Sequence, residues 1–360
     1  MTVSFYISGH GFGHASREVE IINAVAARRP DVDILVRSTA ARWLLERTIA
    51  VPFELIAEPT DVGVVQIDSL HLDAAATIAE AREFYATLDA RADAEAALLT
   101  ARDTVLVISD APPLACAAAA KAGVPSIVIS NFTWDWIYEA YAEHLPAAPD
   151  LIPTIQTAYR KATAAWRLPL HGGFETFDAT RLTDVPFVAR HSTRSAADTR
   201  ERLGLPLDRK LALPSFGGYG LAGLDFDTVG LPPGWDLVRG LRDAEVYDSG
   251  LSYQDLVRAV DVVVTKPGYG IVSECLANGT PLVYTSRGRF AEYDVFVREM
   301  PKYVRCAYLD NAALLGGRWR EAIDRASNAP APPQRPATDG AQVVAGLIDE
   351  RLPAATISRR

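Results

Sequence analysis

Cysteine and methionine are scarce, three and two among 360 residues. Cys116, Cys275 and Cys306 show no paired metal-ligand spacing, and each lies in an apolar segment. That excludes a disulfide framework and predicts reduced, buried thiols in a cytoplasmic protein. Basic residues are outnumbered, 36 Lys and Arg against 45 Asp and Glu, for a net charge of -9. With no long basic tract to neutralise phosphates, neither a nucleic-acid polymer nor an anionic membrane surface is an expected partner. No apolar run approaches the ~20 residues of a membrane helix. The N-terminus enters a strand directly, without a basic region and apolar signal. These absences leave a soluble chain that binds a small ligand.

The length suffices for two domains, each with its own core. The most informative stretch runs from Asp261 to Asp294. An apolar run over 261–265 has the character of a parallel strand buried on both faces, and it stops at Pro267-Gly268-Tyr269-Gly270. Ile271, Val272, Cys275 and Leu276 then recur at helical spacing, Gly279 is the stop signal, and Pro281 to Tyr284 open a second strand. At the start of such a helix, unpaired N–H groups and the dipole favour an anion, and the glycines let it come close. A phosphate is expected at Gly268, Tyr269 and Gly270, screened by Lys266 and by Arg287 and Arg289. Glu274, about one turn inside the helix, is placed to accept from a ribose diol.

The chain begins with a similar device. Val3 to Ser8 read as a buried strand, followed by Gly9-His10-Gly11-Phe12-Gly13-His14 and a helix marked by Val19, Ile22 and Val25. A dinucleotide fingerprint is the alternative, but the glycine spacing is G-x-G-x-G, and Arg37-Ser38 end the next strand where an acid should meet a ribose. A helix or helical pair is expected over 74–101, and strands over 104–108 and 124–129. Asp110 and Asn131 fall at carboxyl strand ends, where open parallel sheets place their ligands; capping of the following helix is the other reading for Asp110. Asn131 to Tyr141 is rich in aromatics; Trp134 and Trp136 cannot face one way, so one of them is free to line a pocket. The loops Leu145 to Pro153 and His171 to Gly173 are further candidate walls. Val185 to Ala189 read as the last strand of the first domain. In the second, Leu211 to Pro214 lead into a Gly-rich loop, Ser215 to Gly220, whose Gly217 and Gly218 are further candidates for the diphosphate. Asp225-Phe226-Asp227 lacks the strand context of a metal site and reads as a loop acid pair.

The segment Asp261–Asp294 and the first Gly loop resemble the GT-B glycosyltransferases, especially relatives of the N-acetylglucosaminyltransferase that completes lipid II, and more loosely the antibiotic and plant enzymes. The resemblance implies an α/β architecture of two doubly wound Rossmann-like domains facing across a cleft. Residues 1–195 form the acceptor domain, 196–340 the nucleotide-sugar domain, and 341–360 a C-terminal helix of the kind that crosses back. The implied reaction moves a sugar from a nucleotide diphosphate sugar to an acceptor hydroxyl, with inversion, no metal and no cofactor. His14 takes the family's base position and Asp110 orients it. Glu292 with Tyr293 or Asp294 contacts the donor sugar, where the family's usual Asp-Gln or Gln-Gln pair is absent. Ser249, Gly250 and Leu251 lie near the base, and His10, Gly11, Phe12, Gly13, Asn131, Trp134 and His171 near a small-molecule, lipid or glycan acceptor. A monomer or weak homodimer is expected. A nucleotide-sugar 2-epimerase and a non-catalytic nucleotide-sugar sensor are the rival readings.

Overall fold

A computed structural model describes residues 1–217, 221, 223–241 and 243–354. They form two compact units: residues 1–65, 73–188 and 339–354 make the first, and residues 66–72 and 189–338 the second. The chain crosses between the units after 188 and after 338, seven and two residues before the expected divisions after 195 and 340. The loop 66–72 belongs with the second unit, a placement that no local pattern signals.

The first unit is built on seven parallel strands, β1 (Thr2–Ile7), β2 (Asp33–Arg37), β3 (Glu54–Ile56), β4 (Thr104–Asp110), β5 (Ser126–Ser130), β6 (Ala164–Arg167) and β7 (Leu182–Asp184). Their order is β3-β2-β1-β4-β5-β6-β7, so the direction of winding reverses between β1 and β4. In doubly wound sheets that reversal opens a crevice at the carboxyl ends of the two strands. Ile7 is paired with Asp110, which puts the first Gly loop and Asp110 side by side at this point. The Ala-rich region is a pair of helices, Ala74–Ala86 and Leu88–Ala101, broken at Thr87.

Val185 to Ala189 do not form the expected strand. They are buried but irregular apart from an isolated bridge between Val188 and Asp339, and the edge of the sheet is β7 instead. Pro186 has no N–H to give a ladder. The apolar pattern there reports burial under the C-terminal segment. Arg29, at the end of the helix Phe12–Arg28, donates to Asp349 in the helix Gly340–Asp349 at 3.3 Å and to the Pro353 carbonyl at 3.0 Å. Gly340 sits so close to the irregular segment that a Cβ would lie 2.4 Å from the Pro186 carbonyl oxygen and 2.7 Å from that of Phe187. Gly340→Ala is therefore expected to lower stability by about 1–3 kcal/mol, the scale of forced overpacking, with an unchanged urea m-value.

The second unit has five parallel strands, β8 (Lys210–Ser215), β9 (Trp235–Leu237), β10 (Val262–Thr265), β11 (Leu282–Tyr284) and β12 (Cys306–Tyr308), in the order β12-β11-β10-β8-β9. Winding reverses between β8 and β10, and Thr265 pairs with Ser215. Both Gly-rich loops of this unit thus leave the sheet at its switch point. Leu70 is buried in the core with Val264 and Val283, and the Ser69 hydroxyl donates to the Phe216 carbonyl at 2.7 Å. No helix among the described residues is long and apolar enough to cross a membrane.

Candidate functional site

Gly11, with φ of 82°, turns the chain from β1 into the helix Phe12–Arg28, a conformation that glycine adopts without strain. The first turns of that helix bury His14, Arg17 and Glu18 against the end of β4. His14 Nδ1 lies 3.0 Å from Asp110 Oδ1. Arg17 donates from Nε to Asp110 Oδ2 at 2.9 Å, from Nη2 to Oδ1, and from Nη1 to Asn131 Oδ1 at 2.6 Å. Ser130 Oγ accepts from Nη2 at 3.1 Å. Burial opposes the Asp110 charge, but Arg17 and then His14 outweigh it and hold the carboxyl below the usual aspartate range.

Arg17 Nη2 also lies 3.0 Å from His14 Nδ1, so the imidazole proton can be assigned in two ways. A lone pair aimed at an ionised carboxylate would be repelled, whereas an N–H is bound by it. Nδ1 therefore donates to Asp110, and Nε2 carries the lone pair. Ala111, next along the chain, has φ of 75°. That left-handed conformation costs a non-glycine residue about 1–3 kcal/mol, and such strain collects at functional sites. The Tyr159 hydroxyl donates to its carbonyl at 2.6 Å.

Two further acids escaped the sequence reading. Glu18 is fully buried, and neither carboxyl oxygen has a hydrogen-bond partner among the described residues. Burial and then Asp110 push its pKa well above the usual range, against Arg17. Burial without a hydrogen-bond partner thus disfavours its charge inside the cluster. Asp61, in the loop after β3, accepts from Ser8 Oγ at 3.1 Å and from Trp134 Nε1 at 2.8 Å. Its burial pushes the pKa up to about 6 even though His14 and both donors favour the charge. Asp61 shares its loop with Glu58, so no local pattern singles it out, and the three-residue β3 that positions the loop is too short to show a period.

Trp134 and Asn131, expected at the acceptor, are fully buried, so both stand behind the site wall. Trp134 is stacked on Tyr138 and meets the His10 ring edge-on at 6.0 Å. Phe132 meets His14 edge-on at 5.4 Å, and Phe12 meets Trp43 at 6.0 Å. Gly13 is partly exposed beside them. His171 is partly buried, which lowers its pKa, and it lies in a loop where Leu170, Gly173 and Phe174 all have positive φ. A groove of about 680 Å³ lies elsewhere in this unit, lined by Arg82, Tyr85, Lys161 and the Pro149–Pro153 loop. None of the expected catalytic residues borders it.

In the second unit, Gly268 is the N-cap of the helix Tyr269–Asn278 and, lacking a side chain, makes no side-chain cap of its own. Lys266 donates to Gln66 Oε1 at 3.3 Å. Burial, and then Arg287, lower its pKa to about 7. Arg287 lies over the Phe290 ring at 3.8 Å and donates to Glu292 at 3.3 Å. A Cβ on Gly268 would lie 3.9 Å from Arg287 Nη1, so basic side chains adjoin the Gly turn. Glu274 is buried and accepts from Arg190 Nε at 2.8 Å and from Nη2; Arg190 Nη1 donates to the Tyr247 hydroxyl at 2.9 Å. Arg190 was not anticipated, because nothing local marks a partner 84 residues away. Tyr293 is partly buried, with its pKa pushed up to about 12, and Asp294 is exposed. Ser249 donates to the Val246 carbonyl, Gly250 has φ of 73°, and Leu251 is buried. Gly217 leads out of β8 with φ of 70°; Gly218 lies outside the described residues. Asp225 accepts from the Asp227 N–H, and Asp227 is paired with Arg239.

No protein-family model matches the chain. It is 31% identical over 366 residues to an Arabidopsis thaliana protein named L-arabinokinase, an alignment that covers 97% of this chain and 34% of that protein. The chain therefore spans about a third of the length of the curated relative it matches. Among solved structures it is similar to a kitacinnamycin glycosyltransferase, with a TM-score of 0.60, 18% identity and coverage of 98% and 99% of the two chains. The calicheamicin glycosyltransferase CalG4 gives 0.59, 16%, 97% and 98%. Phytolacca americana UGT2, solved with UDP-2-fluoroglucose and pterostilbene, gives 0.53, 13%, 97% and 94%. At these identities the likeness speaks for architecture alone: the chain has the two-domain, Rossmann-like α/β fold of the GT-B glycosyltransferases.

Proposed function

We propose that the protein transfers a sugar from a nucleotide diphosphate sugar to an acceptor hydroxyl, with inversion and without a metal. The observation that carries this reading is His14, whose Nδ1 is fixed by Asp110 so that Nε2 is the basic atom. The acceptor O–H bond breaks as Nε2 takes the proton, and the acceptor oxygen bonds to the anomeric carbon. The bond from that carbon to the diphosphate breaks, and the leaving group keeps the electron pair. Lys266, Arg287 and the N–H groups after Gly268 are the elements suited to that anion, and they do electrostatically what a metal does elsewhere. Glu274 is the proposed ribose contact, in exchange for part of its bond with Arg190.

The relative's name adds arabinose to the sugars worth testing as donor or acceptor. The test is incubation with a panel of nucleotide sugars, with and without acceptors, in EDTA. Transfer that needs an acceptor and survives chelation is the expected outcome. Conversion of a nucleotide sugar without any acceptor marks an epimerase, and binding without either change marks a sensor. Activity lost in EDTA and restored by magnesium or manganese overturns the metal-free mechanism.

A further inference from the structure

Residues 66–72 leave the first unit after β3 and belong to the second. An antiparallel bridge between Gln66 and Leu72 closes them into a small hairpin, and Asp68 ties its tip by accepting from the Leu70 and His71 N–H groups at 2.7 and 2.9 Å. Two anchors seat the hairpin on the sheet: Leu70 enters the core, and Ser69 Oγ donates to the Phe216 carbonyl. The hairpin meets three loops. It touches the loop after β8 at Phe216 and the loop after β10 at Lys266, whose Nζ donates to Gln66 Oε1 at 3.3 Å. The third, after β11, approaches it at Gly288, where a Cβ would lie 3.2 Å from the Leu70 carbonyl oxygen. Strands β8, β10 and β11 are neighbours, and the winding reverses among them. Sheets of this kind bind their ligands outside the carboxyl ends of the strands at that reversal.

We propose that Gln66 is a positioning residue for the donor diphosphate: from its fixed hairpin it holds the Lys266 amine beside the Gly turn. This rests on the transferase reading for the identity of the anion, though not for the pairing of Gln66 with Lys266.

The chemistry of the pair favours a ligand over packing. Leu70 and Ser69 already seat the hairpin, so its place in the fold does not depend on Gln66. Lys266 is a costly residue here, since burial and then Arg287 work against its charge, with Asp68 in the hairpin acting the other way. A carboxylate in place of the Gln66 amide would neutralise the amine, much as Glu292 at 3.3 Å offsets Arg287. The neutral amide accepts from the amine and leaves its charge for an incoming anion. Holding a long side chain in place beforehand also removes part of the ordering cost of binding.

Gln66→Leu, Gln66→Glu, Lys266→Met and the Gln66→Leu/Lys266→Met double variant are to be melted and titrated by calorimetry. The pH is set just below the value of about 7 near which Lys266 loses its proton. The probes are UDP, dTDP and GDP, their parent nucleosides, and inorganic pyrophosphate. Gln66→Leu is expected to weaken diphosphate binding about three- to tenfold, the worth of one hydrogen bond, with nucleoside affinity unchanged and no further loss in the Lys266→Met background. Gln66→Glu is expected to melt no lower than the wild type, because the amine gains a charged acceptor. It is nevertheless expected to bind the diphosphate about tenfold or more weakly, because a negative charge now adjoins the site. A glutamine that only supported the fold would give the opposite split, with stability moving and binding not. Unchanged diphosphate affinity in Gln66→Leu, an equal loss with and without Lys266, or wild-type binding by Gln66→Glu each overturns the proposal. If pyrophosphate binds with this dependence on Gln66 and no nucleoside diphosphate binds, the transferase reading fails and the positioning role stands. If the wild-type protein binds neither, both fall.

Discussion

His14→Ala is expected to lower turnover by ~10²- to 10⁴-fold, the range of general-base catalysis, while nucleotide affinity stays near the wild-type value. The basic atom disappears, and the elements of the second unit are untouched. Arg17 and Asp110 remain bonded to one another, so the buried ion pair survives and the fold is expected to tolerate the change. Asp110→Asn makes a sharper contrast. It misorients the imidazole and also strips Arg17 of its carboxylate, so it is expected to lose stability as well as rate. Calorimetry of nucleotide binding together with steady-state kinetics separates the cases. Folded His14→Ala that keeps more than about a tenth of wild-type turnover places the base elsewhere, with His10 next to examine.

Glu274→Ala is expected to have the largest effect on stability, a loss of about 3–5 kcal/mol, because it leaves the Arg190 guanidinium buried without its carboxylate. That loss would mask any role in binding. The informative variant replaces both partners, Arg190→Met with Glu274→Leu, since removing a buried pair together is often close to neutral. In that background the ribose contact is expected to show as a loss of roughly 1.5–3 kcal/mol in nucleotide binding, the worth of a hydrogen bond to a charged group. Unchanged affinity in a stable double variant would remove Glu274 from the site and leave the pair a purely structural one.

The contrast between these two residues shows what the sequence discloses. The Gly turn at Gly268 and the helix behind it were legible because a strand, a glycine turn and a helix stop are local signals, each written within a few residues. His14 and Asp110 were legible as strand-end and helix-start positions of the same kind. Strands β3 and β6 are three and four residues long, too short for a period to register. Val185 to Val188 have a strand's apolar character yet pair with no strand, and they meet the C-terminal segment through Gly340 and the Val188–Asp339 bridge instead. Arg190 beside Glu274, and Asp61 beside Trp134, are tertiary meetings that no pattern along the chain encodes. Burial of Trp134 was equally hidden, because an aromatic run does not say which ring faces inward.

The loop 66–72 sets how the protein can be divided. The chain passes from one unit to the other at 65–66, 72–73, 188–189 and 338–339, so neither unit is a continuous stretch. A fragment starting at 189 would lack Leu70, leaving a hole in its apolar interior, and Ser69, leaving the Phe216 carbonyl without its donor. One ending at 188 would carry that loop with nothing to pack against, and would uncover the helix Phe12–Arg28 where Gly340–Asp349 now shields it. Recombination at a single breakpoint therefore cannot hand either unit intact to another protein. Exchange of the second unit between relatives requires the seven-residue loop to travel with it, which ties the inheritance of the two units together.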